Sequence, residues 1–242
     1  RLEKILKLLE EKKQLSAKEM VDYFKVSKDT IRRDFALLSQ RQLVHRTHGG
    51  LLPLNKEPGP SYLDRSQTAN KEKTAMAQKA LQLIQDEQVL FLDVSTSMTL
   101  LASLLDRAVT VYSHSLDNAI QLSSHTQVDF HLLGGKFYPK NRFYYDANQA
   151  HILDNLRFDL AFFGASSLAN GEVTFEDAED VAVKFLVFER TRTKVLVAES
   201  SKWTKNGNYY LARLKHFDYW VTDQKPSPDI LKLVGSETTI LY

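Results

Sequence analysis

Between residues 88 and 222 the chain carries six apolar runs: QVLFL (88–92), AVTVY (108–112), VDFHLL (128–133), RFDLAFFG (157–164), TKVLVAE (193–199) and FDYWVT (217–222). Amphipathic stretches separate most of them, notably 71–85, 97–105, 115–123 and 178–190. Short apolar runs suit strands buried on both faces. Strands that alternate with helices imply a mostly parallel sheet covered on both sides. Right-handed crossovers then place ligand sites at the carboxyl ends of the strands. One such end reads Asp93-Val94-Ser95-Thr96-Ser97 and runs straight into a helix-like pattern. Backbone N–H groups and hydroxyls at a helix start suit an anion.

The first 54 residues follow a different pattern. Leu2, Ile5, Leu6, Leu8 and Leu9 recur at helical spacing, as do Met20, Val21 and Phe24 after Ser16, a residue suited to an N-cap. Ser27 caps a third helix in which Ile31, Phe35 and Leu38 share one face. Around its other side lie Lys28, Asp29, Thr30, Arg32 and Arg33. Two short extended runs then flank Gly49-Gly50, a hairpin signal that places Arg46 and His48 at the tip. Two helices joined by a short turn, the second with a basic outer face, make a helix-turn-helix; the hairpin adds a wing. Arginine suits the acceptor edge of guanine, and Thr30 and Lys28 suit phosphates or base edges near the helix start. Asp29 and Arg33, four apart, are placed to pair.

Three expected units result: a winged helix-turn-helix over 1–54, a linker over 55–69, and an α/β body over 70–242. The linker reading rests on Pro58-Gly59-Pro60, which interrupts all periodicity. Charge divides at the same place. Residues 1–56 carry 13 Lys and Arg against 7 Asp and Glu, a net of +6, whereas the rest of the chain carries a net of −4. A basic head on an acidic body points to a polyanion partner for the head.

The absence of cysteine removes disulfides, thiol chemistry and cysteine-ligated metal, and fits a cytoplasmic protein. No run of about 18 apolar residues offers a transmembrane helix, and no signal peptide is visible. No paired-carboxylate motif, His-x-x-x-His, nucleophile elbow, dinucleotide fingerprint or phosphate-binding Gly-Lys-Ser/Thr loop occurs. Hence no catalytic residue, no metal site and no cofactor is expected.

The head sequence, with its core SKDTIRRD followed by RTHGG, resembles the DeoR family of bacterial transcriptional regulators. That resemblance implies a body similar in fold to ribose-5-phosphate isomerase and the coenzyme A transferases, with sugar phosphates as effectors. It implies that Asp93, Ser95, Thr96 and Ser97 form the effector loop, with Ser95 standing where glycine is usual. It also implies a second element at Ser113-His114-Ser115, a third at Gly134-Gly135 followed by Arg142, and a fourth in DLAFFGASSLANGEVT, where Gly164 lines the cleft. A fifth, VAESSKW, supplies Lys202 as a cation for a phosphate or carboxylate. His114 reads equally as a hydrogen-bonded strand-end histidine, and Asp177 equally as a residue that reaches a sugar hydroxyl or as a helix-start residue; for Lys202 the ligand reading is preferred to that of a surface lysine beside a packed Trp203.

The expected function is a DNA-binding regulator, a repressor of a sugar or nucleoside catabolic operon under control of a phosphorylated sugar. Expected partners are double-stranded operator DNA through Ser27, Lys28, Asp29, Thr30, Arg32, Arg33, Arg46 and His48, the small effector, and further copies of the chain in a homo-oligomer. The competing expectation is a sugar-phosphate isomerase-like enzyme fused to a DNA-binding domain, with Asp93, Glu199 and Lys202 as possible acid–base groups.

Overall fold

The computed structural model describes residues 1–12, 14–40, 43–46, 50–53, 62, 65, 71–205 and 207–242. The chain forms two compact units, Arg1–Gly59 and Pro60–Tyr242.

In the first unit three helices, α1 (Leu2–Lys12), α2 (Ala17–Phe24) and α3 (Lys28–Gln40), pack with the strands β1 (Leu15–Ser16), β2 (Val44–Arg46) and β3 (Gly50–Pro53). The strands make an antiparallel sheet in the order β1-β3-β2. Ser16 begins α2 with a reciprocal cap: its hydroxyl accepts from the Glu19 amide, and the Glu19 carboxylate accepts from the Ser16 amide. Lys25 ends α2 in the left-handed region, φ 53°, which turns the chain sharply toward α3. Ile5, Leu9, Met20, Ile31, Phe35, Leu38, Val44 and Leu51 close over one core.

The second unit is built on a seven-stranded sheet in the order β14-β13-β11-β9-β4-β5-β6. Its strands are β4 (Val89–Leu92), β5 (Val109–Ser113), β6 (Val128–Leu132), β9 (Phe158–Phe163), β11 (Thr191–Val197), β13 (Tyr219–Val221) and β14 (Thr239–Leu241), every pairing parallel. The six apolar runs of the sequence all became strands of this sheet.

Alternate residues of each strand serve opposite faces, as the pleat requires. Leu90, Leu92, Leu160, Phe162, Val195 and Val197 face α4 (Lys71–Leu81) and α5 (Thr96–Leu104), whose Met76, Ala77, Ala80, Met98 and Leu101 complete that core. Phe91, Ala161, Phe163, Leu196 and Trp220 face the other way, toward Leu153 of α7 (Ala150–Asp154) and Val183, Val187 and Phe188 of α8 (Ala178–Phe188). Each large apolar side chain so buried, such as Leu92, Phe162 or Val187, contributes about 1.5–3 kcal/mol, so a sheet apolar on both faces is stable only with both layers in place. A short helix, α6 (Leu116–Leu122), follows β5, and α9 (Pro228–Leu231) precedes β14.

Two antiparallel strand pairs, one of them a hairpin, fell outside the sequence reading. The strands β7 (Lys136–Tyr138) and β8 (Phe143–Tyr145) pair antiparallel, as do β10 (Glu172–Phe175) and β12 (Tyr209–Arg213). The chain leaves β4 toward β5 and β6, then returns to the other flank of β4 with β9. The crevice between the carboxyl ends of β4 and β9 is therefore the switch point at which open parallel sheets bind ligands.

Candidate functional site

The head presents its basic surface on α3. The Ser27 hydroxyl accepts from the Thr30 amide at 3.1 Å and bonds the Thr30 hydroxyl at 2.8 Å, fixing the first turn. Lys28, Asp29, Arg32 and Arg33 are exposed, and Thr30 is half-exposed. No ion pair joins Asp29 to Arg33 among the described residues, so the expected pairing is not seen. Asp34, one step further, turns inward and binds Arg1, which donates from Nη2 at 3.1 Å and also from Nε. This contact, which the sequence reading missed, fixes which face of α3 points out. His48 lies outside the described residues, and of Arg46 only the backbone, in β2, is described.

In the body, the switch point is sealed at its floor. The Asp93 carboxylate accepts from the Val94 amide at 2.5 Å and from the Gly164 amide at 2.8 Å. Lys184, reaching down from α8, places Nζ 3.0 Å from Asp93 Oδ1 and 2.5 Å from Asp180 Oδ2. The other oxygen of Asp180 lies 2.7 Å from His114 Nε2. Asp93, His114 and Lys184 are fully buried and Asp180 nearly so. Burial alone raises the carboxyl pKa of Asp180, but the Lys184 charge and His114 outweigh it and hold the group below its ordinary range.

Ligand atoms of Asp93, His114 and Asp180 lie within 4.8 Å of one another, a spacing a metal ion accepts. The Lys184 ammonium already sits on both carboxylates and supplies the positive charge an ion would bring. The donor set therefore does not fit a metal.

These contacts define the surroundings of two residues expected at the effector site. Asp93 and His114 were expected to touch an effector, yet neither reaches solvent and both spend polar atoms on protein partners. The His114 ring lies between Phe91 and Phe143, 5.7 Å from each ring centre, with Nδ1 unpartnered. Lys184 and Asp180 escaped notice, although a lone lysine among the apolar residues of VAVKFLVF, four after an aspartate, was a readable signal.

Above the floor, the effector loop is ordinary backbone. Ser95 has φ −160° and ψ 161°, extended conformation open to any residue, and its hydroxyl caps α5 by accepting from the Met98 amide at 3.2 Å. A serine is therefore unstrained in the place where the resemblance puts a glycine. The matching economy lies across the cleft: a Cβ on Gly164 would stand 3.1 Å from the Ser95 Cβ. Ser95 and Thr96 are half-buried, while Ser97 is buried.

Arg142 was expected to face the effector. Instead its guanidinium binds Asp117 through two nitrogens, Nε at 2.8 Å and Nη2 at 3.0 Å, which raises its pKa and neutralises its charge. Gly135 is required by the fold itself: at φ 121° it lies so close to the Tyr145 carbonyl oxygen that a Cβ would stand 2.5 Å away. Space opens beside Gly134, where a Cβ would meet nothing within 4 Å.

Lys202 sits in a 3-10 turn, Ser200–Thr204, after β11. It is half-buried, and no carboxylate pairs with it among the described residues. Burial, then the charge of Lys205, lowers its pKa to about 8; Arg65 and Lys73 add to the effect and Glu199 opposes it. Trp203 beside it packs edge-on to Trp220, ring centres 5.8 Å apart. Arg65 donates from both terminal nitrogens to Asn141 Oδ1 at 3.1 Å, and Asn141 donates in turn to Asp177 at 2.5 Å. Asp177 begins α8 without capping it, and burial raises its pKa. Arg65, Lys73 and Asn141 carried no sequence signal because their positions on the body follow from tertiary contacts alone.

The model of the DeoR C terminal sensor domain matches residues 68–224, and that of the DeoR-like helix-turn-helix domain matches residues 1–57. The HTH-type transcriptional repressor GlcR of Bacillus subtilis (strain 168) is 29% identical over 99% of this chain and 95% of its own length. The glycerol-3-phosphate regulon repressor of Haemophilus influenzae (strain ATCC 51907 / DSM 11121 / KW20 / Rd) is 29% identical over 100% of this chain and 95% of its own. Among solved structures, a D-ribose-5-phosphate isomerase in complex with phospho-erythronic acid superimposes at a TM-score of 0.42, with 15% identity over 55% of this chain and 54% of that one. A regulator's head, a sensor's body and full-length likeness to named repressors assign the chain: it belongs to the DeoR family of DNA-binding transcriptional regulators.

Proposed function

We propose that the chain represses a sugar or nucleoside catabolic operon in the cytoplasm and releases its operator when the body binds a phosphorylated sugar. The observation that carries the effector class is Lys202. A half-buried ammonium in ion-pair contact with no carboxylate among the described residues, and with Lys205, Arg65 and Lys73 outnumbering Glu199 around it, is a group that an incoming phosphate stabilises. The start of α5, at Ser95 and Thr96, supplies a second source of positive potential at the same end of the sheet. In this reading Asp93, Ser97, His114 and Arg142 shape and stiffen the cleft from below, while Ser95, Thr96, Gly134 and Lys202 approach the ligand. One named relative is the repressor of a glycerol-3-phosphate regulon, a phosphorylated polyol of the class proposed.

The division of labour follows residues 1–54 for DNA, 55–69 as connector and 70–242 for the effector. On DNA, Ser27 and Thr30 shape the first turn of α3, with Lys28, Arg32 and Arg33 toward the duplex and Arg46 and His48 on the wing. One winged helix covers little DNA, so the chain acts as a dimer or higher homo-oligomer on repeated half-sites.

A thermal-shift series on the full chain tests the effector class. Glucose 6-phosphate, fructose 1-phosphate, ribose 5-phosphate and glycerol 3-phosphate are each compared with the unphosphorylated parent compound. A ligand that binds only the native state raises the midpoint. A phosphorylated compound that raises it and also releases operator DNA supports the reading. Response to the unphosphorylated compounds alone, or to none, rejects it.

A further inference from the structure

The seven-stranded sheet ends at β6. Among the described residues this strand pairs with β5 on one side and with nothing on the other. Its backbone polarity is fixed by the bond just beyond it, in which the Leu133 amide donates to the Ser113 carbonyl at 2.8 Å. Amides and carbonyls alternate sides along a strand, so those of Asp129 and His131 also serve β5, and those of Phe130 and Leu132 point away from the sheet. The Val128 amide is taken by the His125 carbonyl at 3.2 Å.

The side chains of β6 sort by face. Val128 and Phe130 lie against the core shared with α4 and α5. Asp129 and His131 stand on the opposite face, where the imidazole stacks on Tyr112 with ring centres 4.5 Å apart. That stack holds His131 flat, with Nε2 3.1 Å from Asp129 Oδ2. Both residues are exposed, and Leu132 is 41% exposed. An open edge is a template for another strand, and β6 carries no lysine, proline or bulge to blunt it.

By chemical type β6 reads alike in both directions: apolar, acid, aromatic, base, apolar. An antiparallel partner strand related by a two-fold axis must exchange its bonds at Phe130 and Leu132, where the free groups point out. An axis at Asp129 sets two carboxylates opposite each other, and an axis at His131 sets two imidazoles opposite. An axis at Phe130 sets each Asp129 opposite the partner's His131 and each Val128 opposite the partner's Leu132. The Phe130 amide and carbonyl then meet their own counterparts. Opposite charges across a strand pair are favourable and like charges are not, so the sequence selects the axis at Phe130. The other edge strand, β14, has no charged residue to fix a register.

We propose that β6 is the surface through which two copies of the chain join, antiparallel and in register about Phe130. The inference rests on the reading that the chain acts as a homo-oligomer, and it names the surface.

The test exploits the absence of cysteine, so that introduced thiols report alone. In the proposed register residue 129 of one copy lies about 4.5 Å, Cα to Cα, from residue 131 of the other, within disulfide reach. Like residues lie diagonally, about 7–8 Å apart, beyond that reach. Asp129→Cys and His131→Cys full chains, equilibrated together and oxidised, should cross-link, and either variant alone should not. Leu132→Pro removes an outward amide without touching the ladder to β5. It should halve the assembly's mass in sedimentation, alone and on a duplex selected for binding from a random pool, with tryptophan fluorescence unchanged. His131→Asp should weaken association about tenfold, because two like-charge pairs replace two favourable ones. Asp129→His combined with His131→Asp restores the complement and should restore the parent's mass. A mixture that fails to cross-link, or cross-linking equal in all samples, overturns the proposal. So does a folded Leu132→Pro protein of parent mass; if that variant does not fold, parent-like association of His131→Asp overturns it instead. A parent that sediments as a single chain with and without DNA fails the homo-oligomer reading and the proposal together. A parent oligomer indifferent to every β6 variant fails the proposal alone.

Discussion

Lys184 Nζ lies 3.0 Å from Asp93 Oδ1, and neither side chain reaches solvent. The pair joins the helix layer to the sheet at its switch point, and the ammonium is shared with Asp180. A Lys184→Met substitution keeps most of the volume and removes the charge, leaving two buried carboxylates facing each other. Breaking one partner out of a buried pair costs about 3–5 kcal/mol. Both tryptophans, Trp203 and Trp220, lie in the body, so urea unfolding followed by tryptophan fluorescence reports this loss directly. An unchanged midpoint refutes the role given to Lys184. Adding Asp180→Asn to the same chain should recover part of the loss.

Asp180 also sets a pH dependence. Desolvation pushes its pKa up, but Lys184 and His114 pull harder, and the net shift is downward. A carboxyl with a depressed folded pKa adds stability above its unfolded value, about 4, and loses it as pH falls through the folded value. The urea midpoint should therefore drop steadily below about pH 4. Asp180→Asn should be less stable at neutral pH and show a shallower acid slope. Equal acid slopes for the two proteins contradict the assignment.

How far the sequence revealed this arrangement depended on where the signal lay. The parallel sheet was legible because strands such as VLFL and DLAFF are apolar on both faces. The head was legible because Ser16, Ser27 and the Ile31–Phe35–Leu38 stripe are local signals that no tertiary contact overrides. The hairpin β7–β8 was not legible: KFY and FYY are too short for periodicity, and the pairing depends on Gly135 passing under Tyr145. Within the site, the strand-end residues were found in the chain but not their partners. Whether Asp93 faces a ligand or a lysine is decided by Lys184, 91 positions further along the chain. Tyr62 was read as connector because the prolines before it interrupt the pattern, and only its bond to Thr99 shows it packed.

Gly164 and Ser95 are matched across the cleft. Alanine at 164 brings a Cβ to 3.1 Å from the Ser95 Cβ and 3.3 Å from its Oγ. Overpacking of this kind costs about 1–3 kcal/mol. Ser95→Gly alone gives up the cap on α5, worth only a few tenths of a kcal/mol when glycine replaces serine. The double variant removes the clashing atoms and should be more stable than Gly164→Ala alone. Urea midpoints of the four proteins check this, and a double variant that adds the two losses shows the positions to be independent.

On DNA, the exposed face of α3 separates two kinds of contact. Arg33→Ala should eliminate preference for the selected duplex while leaving circular dichroism and unfolding unchanged, because the side chain supports nothing in the core. Lys28→Gln should weaken all duplexes alike and reduce the salt slope of binding by about one unit, the signature of one lost phosphate contact. Fluorescence anisotropy over a salt series measures both. A Lys28→Gln slope equal to the parent's shows that Lys28 touches no phosphate.

Lys202 makes effector binding sensitive to alkali. Its pKa of about 8 means that the ammonium is mostly protonated at pH 7 and mostly neutral at pH 9. A phosphate monoester is already doubly ionised over that range, its second pKa lying near 6, so the ligand's own charge scarcely changes. The protonated lysine binds the anion, hence affinity should fall as pH rises through about 8, approaching tenfold per pH unit above it. Lys202→Arg keeps a charge at every pH in this window and should flatten the profile. Lys202→Met should bind weakly at pH 7 with no alkaline decline. Isothermal titration at several pH values, using whichever sugar phosphate raises the melting midpoint, measures all three proteins. An alkaline decline that persists in Lys202→Arg assigns the titration to another group and removes Lys202 from the phosphate's seat.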